Sequence, residues 1–129
     1  MTADVPRNAT IERKTNETEI SVTLGLDGKG QANVQTGIGF LDHLLDALAR
    51  HGRFDLDLRC QGDLEVDDHH TAEDCGLALG AAIREALGDR VGIERFGSAY
   101  APLDEALARA VVDISGRPHA SIDLGLTRE

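Results

Sequence analysis

Apolar and polar side chains alternate from Ile20 to Leu26, where Ile20, Val22, Leu24 and Leu26 are separated by Ser21, Thr23 and Gly25. A period of two sends every second side chain to the same face, which marks a half-buried strand. The preceding ATIERK reads as strand too, Asp27-Gly28-Lys29-Gly30 as a turn, and QANVQT as the return strand of a hairpin. From Gly39 the period changes. Phe40, Leu41, Leu44, Leu45 and Leu48 recur at helical spacing and predict an amphipathic helix that buries them, ending at His51-Gly52 with Gly52 as the residue just past the helix. Alternation returns in FDLDLRCQGDLEV, with Phe54, Leu56, Leu58 and Cys60 on one side. After the polar turn Asp67-Asp68 a second helix is predicted over residues 69 to 87, with Cys75, Leu79, Ile83 and Ala86 inward and Gly88-Asp89 as its stop. The closing run ALARAVVDISGRPHASIDLGL reads as two strands joined by Ser115-Gly116-Arg117-Pro118. The first seven residues, polar and small around Pro6, read as a flexible arm.

A chain of 129 residues with 41% apolar and 28% charged positions is long enough to bury one core and too apolar for wholesale disorder. Its closing strand-turn-strand pattern echoes its opening. That predicts a duplicated α+β unit, with a first repeat over residues 1–92 and an incomplete second over 93–129. A formal charge of -10, from 23 acidic and 13 basic residues, excludes a nucleic-acid partner of the ordinary basic-patch kind. The same acids suit solubility, or with five His a divalent cation. Cys60 and Cys75 form no CxxC spacing and read as free thiols of a cytoplasmic protein. No stretch has the apolar length of a membrane span or the apolar core of a signal peptide, so no membrane is expected.

The chemistry concentrates in DDHHTAED, which places Asp67, Asp68, His69, His70, Glu73 and Asp74 within eight positions. At about 100° per residue, His69 and Glu73 lie about 40° apart one helical turn from each other, with His70 about 60° further round. All three can point into one cleft, and imidazole with carboxylate suits manganese, iron or zinc. The same stretch also reads as an exposed helix start whose acids favour the macrodipole. His43 falls off the apolar arc of the first helix, on the side of Asp46 and Arg50, either solvated or a further ligand. His51 suits the C-terminal end of that helix. Arg95 in Arg95-Phe96-Gly97 and Arg117 in Ser115-Gly116-Arg117-Pro118 are candidates for phosphate contact, because a guanidinium fork matches phosphate oxygens. His119 acquires no role.

Taken in order, GIGFLDHLLDALARHGRFDL, GDLEVDDHHTAEDCGLALGAAIREALGDRVGIERFG and APLDEALARAVVDISGRP resemble the imidazoleglycerol-phosphate dehydratases along nearly the whole chain. That resemblance implies the ribosomal protein S5 domain 2-like fold, duplicated, each half a four-stranded sheet with two helices on one face. It implies a homo-oligomer, a 24-subunit shell with two manganese ions (Mn2+) per active site bound between subunits. By the same resemblance His43, His69, His70 and Glu73 are metal ligands, and Glu17 is a substrate-contacting acid and proton carrier. Glu17 and Glu73 are then the catalytic carboxylates, and Arg95 and Arg117 hold the phosphate of a small-molecule substrate. The implied reaction is the manganese-dependent dehydration of imidazole glycerol phosphate to imidazole acetol phosphate in histidine biosynthesis. The family's second HHxxE cluster, further His ligand, and phosphate-binding Lys and Ser are not among these residues. Reduced activity of the 129-residue chain is therefore expected, as a fragment or as a half-sized chain pairing with itself. Two competing expectations are a non-catalytic metal-binding or assembly segment, and an unrelated metal-dependent hydrolase releasing phosphate from esters.

Overall fold

The structure, a computed structural model, describes residues 5–127; the start of the expected N-terminal arm lies outside them. Two compact units divide at Asp89/Arg90.

In the first unit β1 (Asn8–Lys14), β2 (Thr18–Gly25), β3 (Ala32–Gln35) and β4 (Asp55–Gly62) form one sheet in the order β1-β2-β4-β3, with α1 (Gly39–Gly52) and α2 (His69–Leu87) packed on it. The hairpin is β1–β2, closed by Thr15, whose hydroxyl accepts the Glu17 and Thr18 amides. QANVQT is not a return strand against β2. β3 instead pairs in parallel with β4, Ala32 opposite Leu56 and Val34 opposite Leu58, so β3-α1-β4 is a crossover. The physical reason lies in β2. Its Ile20, Val22 and Leu24 are fully buried and need a long apolar partner, and β4 brings Cys60, Leu58 and Leu56 into register with them. Four-residue β3 takes the edge.

Every second residue of these strands faces the helices. There Ala9, Ile20, Val22, Leu24, Leu56 and Leu58 meet Ala49 of α1 and Cys75, Ala78, Leu79, Ala82 and Ala86 of α2. The expected inward face of α2 is thus present. The apolar arc of α1 is split instead: Leu41 and Leu45 pack with Ala49 inside, while Phe40 remains 70% exposed and Leu44 and Leu48 are exposed too. A single sheet can cover only one side of a helix. The left-handed residue ending α1 is Arg53 (φ 58), not Gly52. Gly52 is needed small, since a Cβ there would come within 2.8 Å of the Phe54 ring.

The second unit is a two-stranded hairpin of β5 (Phe96–Leu103) and β6 (Ala106–Asp113), turning at Asp104-Glu105. Here the expectation of strands on either side of Ser115–Pro118 is corrected. The partner of ALARAVVD is the preceding FGSAYAPL, whose Gly97 and Pro102 obscure any alternation, and residues 114–127 form no strand. Gly116 adopts φ 80 and Pro118 lacks a backbone N–H, so neither residue continues a strand ladder at this point. No helix among the described residues is long and apolar enough to cross a membrane.

Candidate metal-binding cluster and phosphate-binding arginines

The HHxxE stretch begins α2. Asp67 opens it, its Oδ1 accepting the His69 amide at 2.8 Å. His69 Nε2 lies 3.1 Å from Glu73 Oε2, one turn on, both largely exposed. His70 turns elsewhere: its Nδ1 is 2.8 Å from Asp63 Oδ2, at the end of β4. The two imidazole rings are edge to face, 5.6 Å between centroids. The fourth acid, Asp74, is 8% exposed and faces the sheet, where it accepts from the Thr18 hydroxyl at 2.5 Å and pairs with Arg13 at 2.8 Å. Acids that look alike in sequence therefore divide by task, into helix capping, imidazole orientation and structural tie.

Glu17 lies in the β1–β2 turn, exposed, and its carbonyl accepts the Asp63 amide at 3.1 Å. Its charge reaches His70. The hydrogen bond with Asp63 holds the His70 pKa above its ordinary value against the opposing effect of burial, with lesser support from the charges of Asp63, Glu17 and Asp67. Glu17, Asp63 and His70 are thus neighbours by way of three different connections. His43 is exposed on α1, a separate element, where the adjacent Asp42 is occupied by the Thr36 amide and hydroxyl at 2.9 and 2.5 Å.

The donor chemistry of His69, His70 and Glu73 fits a manganese-type ion. An imidazole whose Nδ1–H is held by a carboxylate while Nε2 keeps its lone pair is the usual state of a metal-ligating His. Among the described residues no group of three or more His, Cys, Asp or Glu is arranged around a single ion position.

In the second unit Arg95 makes a two-pronged contact with Asp113, Nε to Oδ1 at 2.6 Å and Nη2 to Oδ2 at 3.1 Å, and its guanidinium stacks 5.0 Å from the Phe96 ring centre. The last rung of the hairpin places them together, since Phe96 is opposite Asp113 and the Ile114 amide donates to the Arg95 carbonyl. Hydrogen bonding to Arg95, with the charges of Arg95 and Arg117, keeps Asp113 below its ordinary pKa. Arg117 is exposed in a turn closed by the Ser115 hydroxyl. It lines a cavity of about 800 Å³ with Arg109, Asp113, Ser115, His119 and Ser121, which gives His119 a setting that its sequence context did not supply. Arg109 and Asp113 lie in an unremarkable strand. Periodicity carries no signal for them, nor for Asp63.

A family model described as imidazoleglycerol-phosphate dehydratase matches residues 36–129. A protein of that name from Phytophthora nicotianae is 64% identical over 122 residues, covering 95% of this chain and 27% of that protein. Its namesake from Acinetobacter baumannii (strain AYE) is 57% identical over 122 residues, covering 95% and 60%. Among solved structures, the imidazoleglycerol-phosphate dehydratase of Staphylococcus aureus superposes with a TM-score of 0.76 at 35% identity, covering 95% of this chain and 66% of that one. The Pyrococcus furiosus enzyme gives 0.75 at 39% identity, covering 88% and 60%. The chain spans 60% of the length of the Acinetobacter relative and 27% of the Phytophthora one.

Proposed function

Because the chain belongs to the imidazoleglycerol-phosphate dehydratase family, we propose that it supplies part of a manganese-dependent active site that dehydrates imidazole glycerol phosphate to imidazole acetol phosphate, a step of histidine biosynthesis. The observation that carries this reading is the HHxxE helix start, with His70 held through Nδ1 by Asp63 and Glu17 alongside. His69, His70 and Glu73 would hold manganese, with His43 as a further ligand, in a site completed within a homo-oligomeric shell.

The chemistry requires loss of the hydroxyl from the carbon attached to the imidazole ring and removal of a proton from the next carbon, giving an enol that tautomerises to the ketone. That proton is weakly acidic, so a lone base is slow. Bound manganese would supply Lewis acidity toward the substrate ring. Glu17, exposed and near His70, suits transfer of the proton. Arg95 and Arg117 suit the phosphate: exposed Arg117 lines one cavity with Arg109 and Asp113, while Arg95 is held by Asp113.

A ligand set of this size binds metal weakly. With added manganese, the 129-residue chain is expected to turn over slowly, with all activity lost in His69→Ala. Manganese binding without turnover would support the alternative reading, a non-catalytic metal-binding or assembly segment. Absence of manganese binding would overturn both.

A further inference from the structure

Resting on that reading, we propose that Asp63 is a positioning residue for the metal ligand His70. An ionised carboxylate only accepts hydrogen bonds, so the His70 Nδ1 that lies 2.8 Å from Asp63 Oδ2 must carry the hydrogen. The Nε2 lone pair is thereby kept free in the direction away from Asp63. A His without such a partner distributes its proton between both nitrogens and loses part of its ligating population.

Asp63 is itself well held. Its amide donates to the Glu17 carbonyl at 3.1 Å, its carbonyl accepts the Val66 amide at 2.8 Å, and its side chain is 17% exposed. One residue thus couples the tautomer of His70 to the location of the turn that carries Glu17. Its second oxygen, Oδ1, is buried and has no hydrogen-bond partner. Leaving an acceptor unsatisfied costs stability, which a purely structural contact would be free to avoid by using a smaller polar residue. A carboxylate, unlike a smaller neutral residue, places negative charge at Oδ2 against the imidazole.

The test uses the 129-residue chain labelled with 15N. Long-range proton–nitrogen spectra, taken on the alkaline side of the His70 titration, read which ring nitrogen is protonated, and the electron-spin resonance signal of free manganese reads affinity. In the wild type His70 is expected as the Nδ1–H form. Asp63→Ala is expected to shift His70 toward the Nε2–H form and to weaken manganese binding by about 10–100-fold. Asp63→Asn, whose amide oxygen still accepts from Nδ1–H, is expected to keep the tautomer and lose less affinity; it decides the matter if Asp63→Ala does not fold. Equal affinity in wild type and both variants would overturn the role of Asp63 while leaving the metal reading intact, whatever the tautomer. A wild-type chain that shows the Nδ1–H form yet binds no manganese would overturn the metal reading and this inference together.

Discussion

Asp74 is flanked by the candidate ligand Glu73, yet its carboxylate serves the fold. Buried under α2, it accepts from Thr18 and lies beside Arg13, whose Nη1 is buried and close enough for an ion pair without the alignment of a hydrogen bond. Removing one member of such a set strands the others: Asp74→Ala is expected to cost about 3 kcal/mol in urea unfolding at neutral pH. The Thr18 hydrogen bond, then Arg13, holds the Asp74 pKa below its ordinary value of 3.8. Its stabilising effect is therefore fully present above 3.8 and fades as pH falls through the lowered value. The wild-type advantage over Asp74→Ala should shrink in that acid range. A constant difference down to full acid unfolding would refute the assignment. Burial pushes the Cys75 thiol up to about 12, so it is inert packing between α2 and β4.

At the level of elements, the approach of α2 to the sheet depends on Gly62. A Cβ there would come within 2.0 Å of Thr71 Oγ1, on a side chain that is fully buried. Gly62→Ala is expected to lower stability by about 1–3 kcal/mol through overpacking, visible as a lower urea midpoint at unchanged slope. The end of α1 offers the opposite change. Arg53 adopts φ 58, where a Cβ is unfavourable, and Arg53→Gly should raise stability by about 1 kcal/mol in the same measurement. A loss instead would mean that the Arg53 side chain contributes more than its backbone strain costs. Of these elements, both helices, β1, β2 and β4 were legible from periodicity alone. β5 was not, because Gly97 and Pro102 break its alternation, and β3 was legible as a strand with the wrong partner.

On the scale of the whole chain, the two units have different standing. The first encloses a core; in the second, every residue of β5 and β6 is exposed. Isolated two-stranded hairpins are marginal in water. Hydrogen exchange on the 129-residue chain should show slow amides at Ile20–Leu24 and Leu56–Leu58 and fast ones across 96–113. Protection of the hairpin equal to that of β2 would show that another chain covers it, and would contradict an unpartnered hairpin.

By itself, the order of residues determined where α2 begins and ends, which of its faces turns inward, the alternating faces of β2 and β4, and the gathering of His69, His70 and Glu73 on one helical turn. These are local properties: a period of two or 3.6 reports which side of an element must be covered. Only the tertiary structure decided that β4 separates β2 from β3, that the sheet covers half of the apolar arc of α1, that Asp63 orients His70, and that Asp113 engages Arg95. Each of these joins groups from different elements, and periodicity carries no information about which element will arrive as the neighbour.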